Sequence, residues 1–169
     1  MTTLRRATRA DVDFLVELYS DEDVDPFLGP RNARERADLL GEIARSSAEP
    51  DAFGLFVIEV AGERAGALGF RRTNEASRIA QLEALAVHPS YRGRRLADEA
   101  ARLAQRLLLL ELGYHRIELA CYGFNERAIA HAERSGFVRE GVKRKAFLRH
   151  GEWQDAVLFG LVREDLEAC

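Results

Sequence analysis

Residues 82–119 read LEALAVHPSYRGRRLADEAARLAQRLLLLELGYHRIEL, and this stretch decides the fold. A run of branched and apolar residues ends at His88-Pro89, where proline stops a strand. A short basic loop follows: Arg92, Gly93, Arg94, Arg95, Leu96 and Ala97. It runs directly into a segment over 97–112 in which Ala100, Leu103, Ala104, Leu107, Leu108 and Leu112 recur at helical spacing. Gly113 supplies a stop, and alternating apolar residues over 116–122 begin a further strand. A strand, a loop, a long helix and a second strand make one βαβ unit, with parallel pairing expected across the helix.

Outward from this unit the pattern stays mixed. Towards the N-terminus, residues 4–8 suit a first strand. Val12, Leu15, Val16 and Leu18 lie on one helical face, and Leu39, Leu40 and Ile43 on another within a helical segment at 31–46. Between these helices, residues 21–30 (DEDVDPFLGP) form a loop with four acids, two prolines and a glycine. Residues 53–60 and 64–71 read as two arms of a hairpin turning at Ala61-Gly62-Glu63. Residues 78–87 follow as a third strand. Towards the C-terminus, a short helix spans 125–135 with Asn125 as N-cap, and strands at 138–148 and 153–162 are joined by Arg149-His150-Gly151-Glu152. No repeat or linker interrupts the pattern. The reading is one α/β domain over residues 1–169, a mixed sheet flanked by helices.

The chain has 169 residues, enough for one domain with a real core, and 47% of them are hydrophobic. Its net charge of −3, from 28 acids and 25 bases, supplies no global field for nucleic acid. The apolar run near the middle of the chain, 107–110, is far too short to cross a bilayer, and residues 1–14 lack a signal-type apolar core. Two cysteines, Cys121 and Cys169, do not make a disulfide scaffold and fit a reducing, cytoplasmic compartment. Cysteines and histidines show no metal-ligand spacing, so no metal site is expected.

The basic loop carries the chemistry. A helix N-terminus presents unpaired N–H groups and the positive end of its dipole, small residues let a phosphate approach, and arginines add charge. This loop resembles motif A of the GNAT superfamily of N-acetyltransferases, whose pattern is Gln/Arg-x-x-Gly-x-Gly/Ala. Arg92 matches the first position and Ala97 the last. The resemblance extends to Leu-Ala-Val-His-Pro before the loop, to residues 113–119, to Asn125-Glu126-Arg127-Ala128-Ile129 with Gly136-Phe137, and to Gly151-Glu152-Trp153-Gln154-Asp155. It covers about two thirds of the chain, and it comes nearest the branch that holds ribosomal-protein N-terminal acetyltransferases and spermidine acetyltransferases. It implies a GNAT-like fold and transfer of an acetyl group from acetyl-CoA to a primary amine: a protein N-terminus, a polyamine or a small molecule. It also implies that Leu85, Ala86 and Val87 pair with the pantetheine arm, that residues 92–97 hold the diphosphate, and that Asn125 contacts the donor near its thiol. A homodimer is the expected assembly.

Two positions depart from the family pattern. Arg95 stands where glycine is usual, and Ala132 stands where a tyrosine often serves as general acid. These departures make a non-catalytic CoA-binding protein the alternative reading. Glu83, two residues from Gln81 and therefore on the same strand face, is the candidate base. His131 reads as a helix-surface residue, Cys121 as a buried inert thiol, and Tyr122 as packing. The acidic loop of Asp21, Glu22, Asp23 and Asp25 could attract a cationic amine.

Overall fold

A computed structural model describes residues 1–167; Cys169 lies outside them. The elements run β1 (Thr2–Arg6), α1 (Val12–Ser20), α2 (Arg36–Ala48), β2 (Phe53–Val60), β3 (Glu63–Asn74), β4 (Ile79–Val87), α3 (Leu96–Arg106), β5 (Arg116–Tyr122), α4 (Glu126–Arg134), β6 (Val138–Arg149), β7 (Glu152–Val162) and α5 (Arg163–Glu167). All seven strands join one mixed sheet in the order β1-β2-β3-β4-β5-β7-β6.

Alternation along each strand explains the layers. In β2, Phe56 and Ile58 face one side with Leu68 and Phe70 of β3 and with Ala100, Ala104 and Leu108. Leu55 and Val57 face the other side, against Leu15, Leu18, Tyr19, Leu39 and Ile43 of α1 and α2. The central strands are thus buried on both faces and read as continuous apolar runs. The sheet's β1–β4 half is sandwiched between α1 with α2 on one face and α3 on the other, and α4 packs on α3 and β6.

Expectations about strand pairing, helix length and element boundaries need correction. Parallel pairing holds across α3, where β4 pairs β5, but not across α4, because β7 returns between β5 and β6 and pairs antiparallel with both. The connection from β1 to β2 through α1 and α2 also returns antiparallel. The long helix does not continue regularly to 112: after Arg106 it widens into a π-turn at Leu107–Glu111, with Leu112 N–H donating to Leu107 C=O at 2.9 Å. The first strand begins two residues before the expected one, and α2 starts at Arg36.

The N-terminal layer is clamped by a buried carboxylate. Asp11 is 0% exposed and accepts from Arg5 at 2.7 and 2.9 Å, from Arg64 at 2.7 Å and from the Thr8 N–H at 2.8 Å. Burial alone would raise its pKa; the two guanidiniums and the amide outweigh that and hold it well below the ordinary carboxylate range.

Candidate active site

The sheet is split at its centre. β4 and β5 pair only at Ile79↔Arg116, Ala80↔Ile117 and Gln81↔Glu118, and their C-terminal halves then part without further pairing. The cause lies in β4. Gly69 faces Glu83 and Ala67 faces Ala86, so three residues of β4 span two of β3, which is a β-bulge. Ala84 accommodates it with a left-handed backbone, φ +54°. Beyond the bulge, β3 comes so close that a Cβ on Gly66 would strike the Ala86 carbonyl oxygen.

The bulge determines which backbone groups line the split. His88 N–H donates to Ala65 C=O at 2.8 Å, and the same register carries Ala86 opposite Ala67. Antiparallel partners alternate between the two sides of a strand, so Ala86 turns its backbone groups to β3 and Val87 turns its own to the open edge. Leu85 and Ala84 form the bulge between them.

At the mouth of the split stands the basic loop. Gly93 and Arg95 both have left-handed backbones, φ +77° and +57°, and Arg95 is the residue immediately before α3. Arg95 therefore adopts the conformation for which glycine is usually selected; the residue is exposed and its side chain makes no capping hydrogen bond to the helix. α3 opens with N–H groups uncommitted by helix geometry. Its two first-turn acids are occupied elsewhere: Asp98 with His131 at 2.7 Å and with Arg134, Glu99 with Thr2. Burial would raise the Asp98 pKa, but hydrogen bonds from His131 and Arg134 keep it below its ordinary value. Asp98 thus leaves the cation set Arg92, Arg94 and Arg95 undiminished.

The loop between α1 and α2 straps across this mouth. On the β4 side, Arg92 Nη1 bonds Asp23 Oδ2 at 3.0 Å, and Arg92 Nη2 lies 3.8 Å from Asp21. On the β5 side, Tyr122 O–H reaches the Leu28 carbonyl at 3.4 Å, Phe27 packs on Phe124 at 5.9 Å, and Arg149 donates to the Asp25 carbonyl at 2.7 Å. Asp25 also pairs with Arg34. Asp21, Asp23 and Asp25 are therefore compensated within the protein, and the loop presents less free negative charge than its composition suggests. Asn125 caps α4 by accepting from the Ala128 N–H at 3.1 Å. It lines a cavity of about 340 Å³ with Asp23, Phe27, Phe124, Glu126 and Arg127.

Other candidate groups fall in distinct places. Glu83 shares a face with Gln81 and Arg71, directly before the bulge; its side chain is 16% exposed and accepts from Arg71 Nη2 at 2.9 Å. Burial and the Glu83 charge raise the pKa of the nearby Glu42. Ala132 is 1% exposed in the core under α3 and α4. His131 is not a free surface residue: it ties α4 to α3 through Asp98, a link between distant helices that spacing could not show. Cys121 is buried, and burial pushes its thiol up to about 11, which disfavours a nucleophilic thiolate. Among the described residues, no group of three His, Cys, Asp or Glu is arranged to hold a metal, and no helix is long and apolar enough to cross a membrane.

Comparison with known proteins points the same way. The family model described as Acetyltransferase (GNAT) domain matches residues 2–138. An uncharacterized N-acetyltransferase of Bacillus subtilis strain 168, YokL, is 37% identical over 83 residues, 49% of this chain and 47% of that protein. The spermidine N(1)-acetyltransferase of Escherichia coli strain K12 is 31% identical over 102 residues, 60% of this chain and 54% of that protein. The chain thus spans about half the length of the curated relatives it matches. Among solved structures, the Vibrio cholerae spermidine N-acetyltransferase in complex with CoA and spermine superposes with a TM-score of 0.83 at 24% identity, covering 97% of this chain and 96% of that one. At that identity the likeness is one of fold.

Proposed function

The chain belongs to the GNAT acetyltransferase family, and from that premise we propose that it transfers an acetyl group from acetyl-CoA to a primary amine, with a polyamine as the leading acceptor class. The observation that carries the reading is the split between β4 and β5 with a cationic helix N-terminus at its mouth. An open strand edge suits an amide-bearing arm, and a cluster of arginines over free N–H groups suits a diphosphate. The residues present therefore fit acetyl-CoA, which supplies an activated acyl group on a thioester.

The chain's own groups divide the work. Arg92, Gly93, Arg94, Arg95, Leu96 and Ala97 hold the diphosphate by charge and main-chain N–H groups. Val87 offers main-chain groups along the open edge, and a main-chain amide of β4 polarises the acyl carbonyl. Ala86 holds this edge in register through β3. Glu83 accepts the proton of the attacking amine, directly or through water. Asn125 sets the start of α4 at the cavity beside the mouth. Ala132 has no hydroxyl, so solvent protonates the leaving thiolate, which the ordinary thiol pKa of about 8.5 makes tolerable near neutral pH.

The polyamine assignment draws on the relatives named for spermidine. A panel of spermidine, spermine, small primary amines and N-terminal peptides, with thioester consumption as readout, tests it. Donor binding without turnover on any amine would favour a CoA-binding role instead. We also propose self-association through the edge hairpin, where Leu148 and Trp153 are 56% and 62% exposed. A monomeric mass by light scattering would sink that part.

A further inference from the structure

Tyr19 lies in the last turn of α1 and is 2% exposed, yet its hydroxyl has one protein partner among the described residues: the carbonyl oxygen of Ala84, at 3.2 Å. Ala84 is the bulge residue, and alanine in a left-handed backbone is held there only when its surroundings fix it. A trans peptide is planar, with its C=O and N–H pointing opposite ways. If the Ala84 carbonyl is drawn towards α1, the N–H of Leu85 must point away from α1, towards the side covered by α3 and α4. The Leu85 side chain packs on that same side.

We infer that Tyr19 is a positioning residue for acyl transfer: its hydroxyl pins the bulge peptide and so aims the Leu85 N–H at the donor carbonyl. The inference rests on the acetyl-transfer reading for its consequence, though not for its geometry. Burial, with the charges of Glu42 and Glu83 nearby, lifts the phenol pKa well above its ordinary value, so the group stays an O–H donor at every working pH. The ring belongs to the buried cluster that holds Leu15, Leu18, Leu39 and Ala86, and Tyr19→Phe keeps its apolar part.

The experiment compares wild type, Tyr19→Phe and Tyr19→Phe with Ala84→Gly. Removing an oxyanion donor outright costs about 10²–10³ in kcat, and a misaimed one costs less. Tyr19→Phe is expected to lower kcat about tenfold while leaving the amine KM and the CoA Kd within about twofold. In the unliganded protein, the assigned Leu85 amide resonance should move in a ¹⁵N–¹H spectrum. Glycine takes the left-handed conformation without steric cost, so Ala84→Gly in the Tyr19→Phe background should recover much of the lost kcat. Wild-type kcat in Tyr19→Phe overturns the inference. So does an unmoved Leu85 amide, a loss of rate that Ala84→Gly leaves in place, or a loss of folding that Ala84→Gly does not repair. No turnover by wild type, with the Leu85 resonance still sensitive to Tyr19, would sink the acetyl-transfer reading and leave the pinning intact.

Discussion

Arg92 is held by Asp23 and Asp21, which a diphosphate at the proposed donor site would displace, so weakening that hold should tighten donor binding. The Arg92 side chain is 28% exposed and Asp23 is 63% exposed, which places their 3.0 Å pair among surface ion pairs worth about 0.2–1 kcal/mol. Asp23→Asn removes most of that competition, and acetyl-CoA should bind about 1.4- to 5-fold more tightly. Arg92→Ala removes a charge-assisted contact worth about 1.5–3 kcal/mol. Since the variant no longer breaks the ion pair on binding, the net loss should be roughly 2- to 100-fold. Asp23→Asn also removes a negative charge near the diphosphate, an effect independent of Arg92. A double-mutant cycle separates the two: in the Arg92→Ala background the gain from Asp23→Asn should shrink towards this general contribution. Calorimetry at two salt concentrations is the assay, and every difference should narrow at high salt. Unchanged or weaker CoA affinity in Asp23→Asn would refute the competition, and equal gains in both backgrounds would refute Arg92 as its seat.

Other consequences follow from single side chains. Glu83→Gln should flatten or move the acidic limb of the kcat/KM profile against pH; a profile superimposable on wild type at equal magnitude would rule Glu83 out as the base. Ala132→Tyr inserts a ring where alanine is 1% exposed. Overpacking of about 1–3 kcal/mol should lower Tm by roughly 2–12 °C, and an unchanged Tm would mean the core has room for the family's tyrosine. Asp11→Asn should cost on the order of 3 kcal/mol, because it leaves Arg5 and Arg64 without their shared anion. The depressed Asp11 pKa contributes stability above the unfolded value of about 3.9 and loses it as pH falls through the folded value. The variant's acid denaturation should therefore be shallower than wild type between about pH 4 and 2.

The parts of the fold that a local pattern can encode were legible. β5 falls on residues 116–122, as its alternation predicts, and Asn125 caps α4 as its residue type predicts. Gly93 and the arginines about it mark the mouth of the split. The split itself was less open to reading. Its cause is a left-handed alanine, a residue type with no preference for that conformation, inside a run that looks like an unbroken strand. Tyr19 lies 65 positions from Ala84, and only the packing of α1 on the sheet joins them. The intrusion of β7 between β5 and β6 is a topological choice that adjacent-strand reasoning does not anticipate. Asp11 and Asp98 appear in sequence as ordinary helix-start acids, and their partners Arg64 and His131 come from distant elements. Composition suggested a free acidic patch at 21–25, but Arg92, Arg34 and Arg149 converge on it only once the chain has folded.

The central claim is acyl transfer at the β4–β5 split, and it is tested most directly by following a ¹³C-labelled acetyl group from acetyl-CoA in the presence of spermidine. The account predicts N-acetylspermidine carrying the label, formed with multiple turnovers and slowed in Arg92→Ala through weaker donor binding. Stoichiometric CoA binding, with the label retained on the thioester across spermidine and the whole amine panel, would contradict it.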